Sequence, residues 1–172
     1  MLKLLGAVMI FGSCAALGLS ARQQLRRRVA AADALLLALT LIMSEIECRR
    51  ATLPDIIAEL TENENEAVAR VFLALQRRLR EQNGLSLGYL WCANLRDMRE
   101  EIGLGNQECE ILCQASNFLG RYDASEQLAG LRQISRRLST SREVAAQELT
   151  NKGNLYRTCG IAMGILVVLV LI

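Results

Sequence analysis

Apolar residues concentrate at the two ends of the chain, and between them apolar and polar positions alternate with the period of a helix. Leu4–Leu19 and Thr158–Ile172 contain no charged residue. A helix that crosses a bilayer needs about 20 mostly apolar residues, with a lower limit near 17. Counted from Met1 and from Leu155, both segments reach that limit. The pattern therefore predicts a transmembrane helix at each end.

The charges around the first apolar segment distinguish an anchor from a cleaved signal peptide. A signal peptide carries its positive charges before the apolar run. Here Lys3 precedes the run, whereas Arg22, Arg26, Arg27 and Arg28 follow it. Because most of the charges follow, we expect an uncleaved anchor.

The C-terminal apolar segment has a rival interpretation as the buried last helix of a soluble domain. Its final residues have no polar face, which a helix of a soluble domain needs, so a membrane span is favoured. Lys152 and Arg157 precede this segment, just as Arg22–Arg28 follow the first one. The positive-inside rule then predicts that the region between the spans is cytoplasmic.

The predicted organisation has three parts. Residues 1–21 form an N-terminal transmembrane anchor, residues 22–156 a cytoplasmic helical-bundle domain, and residues 157–172 a C-terminal transmembrane helix. The middle part is long enough for one compact core.

Apolar residues in the middle part recur at helical spacing. They predict helices over residues 29–50, from Pro54 to Leu60, and over residues 66–82, 86–102, 106–119 and from 126 toward the membrane. For the last helix the inward positions are predicted at Leu128, Leu131, Ile134, Leu138 and Val144. No stretch shows a convincing hairpin pattern. The predicted fold is an all-α bundle of about six helices, flanked by N- and C-terminal transmembrane helices.

Composition limits the chemistry that the chain performs. Hydrophobic residues make up 52% of the chain, which excludes the disordered class, and the net charge of +2 gives no field that draws in nucleic acid. The chain has no histidine and no GxxxxGK[ST] loop, so the commonest general base and the usual nucleotide-binding loop are both missing. We predict no catalytic residue, no cofactor and no small-molecule substrate.

Six cysteines occur without a CxxC pattern. Cys109 and Cys113 are four residues apart and share a helix face, but two ligands do not make a structural zinc site. We interpret the cysteines as reduced, small apolar residues and predict no metal site.

One segment, residues 118–127, holds a turn between two predicted helices. Gly120 suits the end of the first helix and Asp123 the start of the second, with Ser125 as the alternative cap. Helix capping does not require Arg121 or Gln127.

The sequence Leu119-Gly120-Arg121-Tyr122-Asp123 resembles the LGxxD turn of the stage III sporulation protein AB family. Residues 1–7 look like the N-terminal anchor of that family, Leu53-Pro54 falls where it has a similar element, and residues 152–172 are similar to its terminal span. The layout also resembles the cytoplasmic helical domains of the inner-membrane platform protein of type II secretion and type IV pilus systems.

The resemblance implies a function in endospore formation. Stage III proteins are thought to build a channel-like apparatus between mother cell and forespore. The chain would then lie in the mother-cell membrane around the forespore, with its soluble domain in the cytoplasm. Its expected partners are other stage III proteins, including a secretion-type ATPase, together with membrane lipid but not nucleic acid.

Two functions from different classes follow from these observations. The first is a non-enzymatic platform for the ATPase, with Arg121, Asp123 and Gln127 as hypothetical partner-binding residues, because an exposed arginine beside a fixed turn suits docking. The alternative is a membrane-tethered regulator of spore development without a transport role. An enzyme is disfavoured by the missing histidine and motifs.

Overall fold

The computed structural model describes residues 2–49, 52–63, 65–81, 84–119 and 123–171, and within these it contains α-helices and no strand. In the end segments, side chains are described for Ala16, residues 19–48, residues 123–151, Thr158 and Ala162. The helices are α1 (Leu2–Ser44), α2 (Leu53–Thr61), α3 (Glu66–Glu81), α4 (Leu87–Ile102), α5 (Asn106–Ala115) and α6 (Ala124–Leu171). A π-helical turn, Glu45–Arg49, follows α1. The predicted all-α fold of about six helices is confirmed.

The chain divides into two compact units. One, here called the terminal unit, consists of Met1–Val29 and Val144–Ile172, and the other, the helical body, is Ala30–Glu143. α1 and α6 each contribute to both units without a break in the helix. The boundaries predicted at residues 21/22 and 156/157 rest on membrane insertion, a different criterion, and stay a prediction.

The core of the helical body is built from one apolar face of each helix. α2 buries Ile56, Ile57 and Leu60, and α3 buries Val68, Val71, Phe72 and Leu75. The ring of Phe72 lies 5.7 Å from that of Trp91 in α4, centroid to centroid. α6 buries the first four of its five predicted inward residues. The largest fully buried side chains are Leu39, Ile56, Leu60, Phe72, Leu75, Leu90, Leu95, Glu108, Leu112, Leu131, Ile134 and Leu138. Most of these residues occupy positions that helical spacing predicts to be apolar.

Local sequence sets the helix ends. Thr52 occupies the N-cap position of α2, with Pro54 in the first turn, and the Ser86 hydroxyl oxygen accepts the amide N–H of Tyr89 at the start of α4. Gly103 ends α4 in the left-handed conformation, with φ of 76°. The amide N–H of Leu104 reaches back to the carbonyl oxygen of Arg99, at 2.8 Å, which is the hydrogen bond of a Schellman motif.

The structure corrects one predicted core position. Val144 is 49% exposed, whereas Ala145 is fully buried and Ser141 nearly so. Helical spacing explains the difference, because Ile134, Leu138, Ser141 and Ala145 recur at intervals of three and four residues on one face. Val144 is one residue, about 100°, away from that face.

The helix predicted over residues 106–119 is also shorter than expected. α5 ends at Ala115, and residues 116–119 form tight turns, in which Phe118 N–H donates to the carbonyl of Ala115 at 3.1 Å. The helix predicted over residues 29–50 is the second part of the longer α1 and its π-helical turn.

In the described part of the terminal unit, an ion pair joins the two helices. The guanidinium of Arg28 in α1 lies 3.1 Å from the carboxylate of Glu148 in α6. By length and composition, α1 could span a membrane, since Leu19–Cys48 passes that test among the described residues. However, residues of its second half such as Leu35, Leu39 and Ile42 pack in the core of the helical body, so that part of α1 is a core helix, whereas residues 19–29 belong to the terminal unit. The spans predicted at residues 1–21 and 157–172 fall mostly on side chains that are not described, and they stay a prediction.

Candidate docking surface

The predicted partner-binding residues lie at the connection between α5 and α6. Asp123 precedes α6, and its carbonyl oxygen accepts the amide N–H of Gln127 at 3.0 Å, which confirms the N-cap position predicted for it. Its carboxylate Oδ2 accepts the hydroxyl of Ser125 at 2.9 Å. Asp123 is exposed and Gln127 is half-buried, whereas Arg121 lies outside the described residues. The structure thus brings Asp123 and Gln127 to one turn of helix, here called the docking turn (residues 123–127).

A glycine in the second turn of α6 is in close contact with Phe118, in the turns that follow α5. A Cβ atom added at Gly130 would lie 2.2 Å from Cδ1 of Phe118 and 2.3 Å from Cγ, closer than real Cβ atoms approach other atoms. The phenyl ring therefore rests directly on the α6 backbone. Sequence reasoning did not single out Gly130, although an isolated glycine inside a helical pattern is the type of residue that marks close packing.

The indole of Trp91 in α4 forms a hydrogen bond with the backbone of α5. Its Nε1–H donates to the carbonyl oxygen of Leu112 at 2.7 Å, and both residues are buried. The amide of Ser116, which in a continuing helix would bond to Leu112, bonds instead to the carbonyl of Cys113 at 3.3 Å. The early end of α5 thus releases a carbonyl oxygen, and Trp91 satisfies it.

A buried carboxylate links α5 to α6. Glu108 is fully buried in the first turn of α5, and its Oε1 accepts the hydroxyl of Ser141 in α6 at 2.8 Å. A carboxylate enclosed in this way does not meet a solvent-borne substrate.

Three cysteines lie together between α4 and α5, and we call Cys92, Cys109 and Cys113 the thiol cluster. The thiol of Cys92 donates to the carbonyl of Cys113 at 3.4 Å. Burial raises the pKa of both the Cys109 and the Cys113 thiols, so both stay protonated at neutral pH. Thiols in that state are poor nucleophiles and poor ligands. Among the described residues, no group of three His, Cys, Asp or Glu side chains is arranged to hold a metal ion.

A separate groove of about 460 Å³ lies along α1, beside the end of α2 and the α2–α3 connection. Leu37, 71% exposed, forms part of its wall. Its lining residues are Ala34, Leu37, Thr40, Leu41, Ser44, Glu45, Glu59, Asn63 and Asn65. The described lining includes two acidic side chains, Glu45 and Glu59, and the sequence analysis did not predict this groove.

Charge is distributed unequally between the two units. The terminal unit contains seven basic residues and one acidic residue, Glu148, whereas the helical body contains 13 basic and 17 acidic residues. The small net charge of the whole chain is therefore the sum of a strongly basic terminal unit and an acidic helical body.

The sequence model of the family described as stage III sporulation protein AB matches residues 3–172. The chain belongs to the stage III sporulation protein AB family. Members of this family are structural components of sporulation and are not a known family of enzymes. The chain therefore has a role related to sporulation.

A solved structure titled stage III sporulation protein AB is similar to this AB-family protein, with a TM-score of 0.64 and 22% sequence identity. The match covers 72% of this chain and 96% of the other one. At that identity the likeness supports the fold alone. No curated protein matches the chain.

Proposed function

We propose that this protein is a non-enzymatic platform for a cytoplasmic ATPase of the secretion type, within a channel complex that links mother cell and forespore. The observation that carries the proposal is the docking turn, with its exposed Asp123, together with the ring of Phe118, which is seated on Gly130 in the same helix. A surface that is already ordered loses little conformational entropy when a partner binds, which favours affinity.

The helical body suits a partner with a basic face. It carries more acidic than basic residues, and the guanidinium groups of Arg70 and Arg78 are already paired with Glu101 and Asp97, at 2.8 and 2.7 Å. Complementary charge steers association and selects partners more than it adds affinity. In this proposal the partners are other stage III sporulation proteins, including the ATPase.

The proposed location is the mother-cell membrane around the forespore, with the helical body in the cytoplasm. Two features support it. The apolar segments at the two ends of the chain are long enough to span a bilayer, and the basic residues lie on their inner sides. α1 and α6 lead from those segments into the body without an intervening loop.

Site-directed crosslinking in native membranes tests the platform directly. A photo-reactive residue at Glu126, exposed on the docking turn, should capture a secretion-type ATPase or another stage III protein in sporulating cells. The same residue at Gln133, exposed further along α6, is the matched control and should capture less of that partner. Equal capture at the two positions, or capture of the protein alone from Glu126, would contradict the proposed surface.

Substitutions then separate docking from folding. Asparagine is as good an N-cap as aspartate, so Asp123→Asn removes the charge and keeps the cap. We expect Asp123→Asn and Arg121→Ala each to reduce capture and spore yield at normal protein level, with Gln133→Ala unchanged. If both variants sporulate like the wild type, these residues do not form the contact.

The alternative function is a membrane-tethered regulator without a transport role. It is favoured if the crosslinked partner is a signalling protein, and if neither an ATPase nor channel proteins copurify with the full-length chain.

A further inference from the structure

The arginines that follow the first apolar segment have different environments. Arg28 is paired with Glu148, and the two side chains are only 24% and 30% exposed. Arg26 and Arg27 are exposed, and neither forms an ion pair with any residue that the structure describes. Arg28 thus joins the two helices of the terminal unit, whereas two unpaired cations beside it face outward.

The sequence around Arg26 and Arg27 contains few acidic residues that could pair with them. No acidic residue occurs among residues 1–32, and none occurs after Glu148. Since Glu148 is held by Arg28, the terminal unit has no other carboxylate with which Arg26 or Arg27 could pair. An external anion can therefore reach Arg26 and Arg27 without competition from an acidic side chain of the same unit.

Helix geometry places the arginines beside an exposed apolar side chain. Leu19 is 58% exposed and lies three residues before Arg22 and seven before Arg26, so the three residues share one face of α1. Residues 22–27 cover roughly 7–8 Å along the helix axis, at about 1.5 Å per residue. The headgroup layer of one leaflet is roughly 5–8 Å thick, so these residues fit within it when Leu19 is in the hydrocarbon.

We propose that Arg26 and Arg27, assisted by Arg22, bind the phosphate groups of anionic phospholipids. The proposal rests on the membrane location given above, and it adds a lipid class and a set of residues. Guanidinium groups form paired hydrogen bonds with phosphate oxygens, and basic residues near a negatively charged leaflet are attracted to it. The helical body has a net negative charge, so we do not expect it to bind the same anionic lipids.

The experiment uses the purified full-length protein in nanodiscs of equimolar phosphatidylcholine and phosphatidylglycerol. Native mass spectrometry of the released protein measures the ratio of the two lipids that it retains. We expect the wild type to retain phosphatidylglycerol in excess, and Arg26→Gln with Arg27→Gln to reduce that excess by roughly tenfold. High salt should reduce it as well.

Two control variants make the result specific. Arg77→Gln with Arg80→Gln removes the same charge from exposed, unpaired arginines of the helical body, and should leave lipid retention unchanged. Arg28→Gln with Glu148→Gln removes an ion pair without changing net charge, and should also keep the preference.

Each outcome decides the inference. Equal retention of the two lipids by an embedded wild-type protein overturns it and leaves the platform proposal standing. Loss of the preference in the Arg77 and Arg80 variant also overturns it, because total charge would then be the cause. If short duplex DNA displaces the lipid at equal phosphate concentration, nucleic acid is the preferred anion and the lipid assignment fails. A protein that does not enter nanodiscs contradicts both the lipid inference and the membrane location.

Discussion

Replacing Gly130 with alanine tests the packing that fixes the docking turn. Alanine in place of glycine inside a helix normally stabilises it by about 1 kcal/mol. Here the new Cβ would lie 2.2 Å from the ring of Phe118, so the ring or the helix must move. Overpacking of this type costs about 1–3 kcal/mol. The two terms together predict a net loss of up to about 2 kcal/mol in the free energy of unfolding.

A double-mutant cycle separates the two terms. In a Phe118→Ala background the clash is absent, so Gly130→Ala should become neutral or stabilising by up to about 1 kcal/mol. Gly88→Ala, in the first turn of α4, is the control, because its Cβ would lie 3.3–3.4 Å from the side chain of Ser116, near ordinary contact distance, and not at the 2.2 Å found at Gly130. We expect that control to change stability by less than about 0.5 kcal/mol.

The single tryptophan provides the assay. Trp91 is buried in the helical body, so its emission during urea unfolding of the full-length protein reports on that unit. We expect the less stable variant to bind the partner less well, so Gly130→Ala should capture less of the partner than Gly88→Ala. If Gly130→Ala stabilises the protein in the presence of Phe118, the ring is not seated on α6 and the ordered docking turn loses its support.

Two further predictions concern buried polar groups of the helical body. Ser141→Ala removes a hydrogen-bond donor from the buried Glu108 carboxylate and should lower the free energy of unfolding by about 1–3 kcal/mol, measured by urea unfolding. Ser139→Ala, on the same helix, is the control and should have little effect in the same assay. The exposed Cys48 should react with iodoacetamide at pH 8 roughly tenfold faster than Cys109 in peptide-resolved mass spectrometry, and equal rates would contradict the burial of the thiol cluster. Because burial raises the pKa of the Cys109 thiol in the folded state, its contribution to stability is complete below the ordinary thiol pKa and is lost as the pH rises above it.

Helical periodicity was sufficient to predict most of the fold. The apolar residues that recur at helical spacing in α2 and α3 are mostly buried, and Asp123 occupies the N-cap position predicted for it. These features depend on local sequence alone, because each helix must bury one face and must satisfy its own first amide groups.

The rest depends on contacts between distant residues, which a local pattern does not contain. Val144 fits an apolar stripe by type, but the turn of α6 beyond Leu138 buries Ser141 and Ala145 instead. The role of Gly130 depends on where the ring of Phe118 lies, twelve residues earlier in the chain. Of the candidate site, the sequence predicted the position of Asp123 and the capping of α6, but not the packing that supports them.

α5 is the element through which these contacts act together. It has only 10 residues, and isolated helices of that length are marginal in water. Three contacts hold it and the turn that follows: Trp91 bonds to Leu112, Glu108 bonds to Ser141, and Phe118 packs on Gly130. Two of the three end on α6, which also begins with the docking turn. The loss of either of these two contacts should therefore loosen the packing of α5 on α6, so Ser141→Ala and Gly130→Ala should weaken partner capture although neither residue belongs to the docking turn.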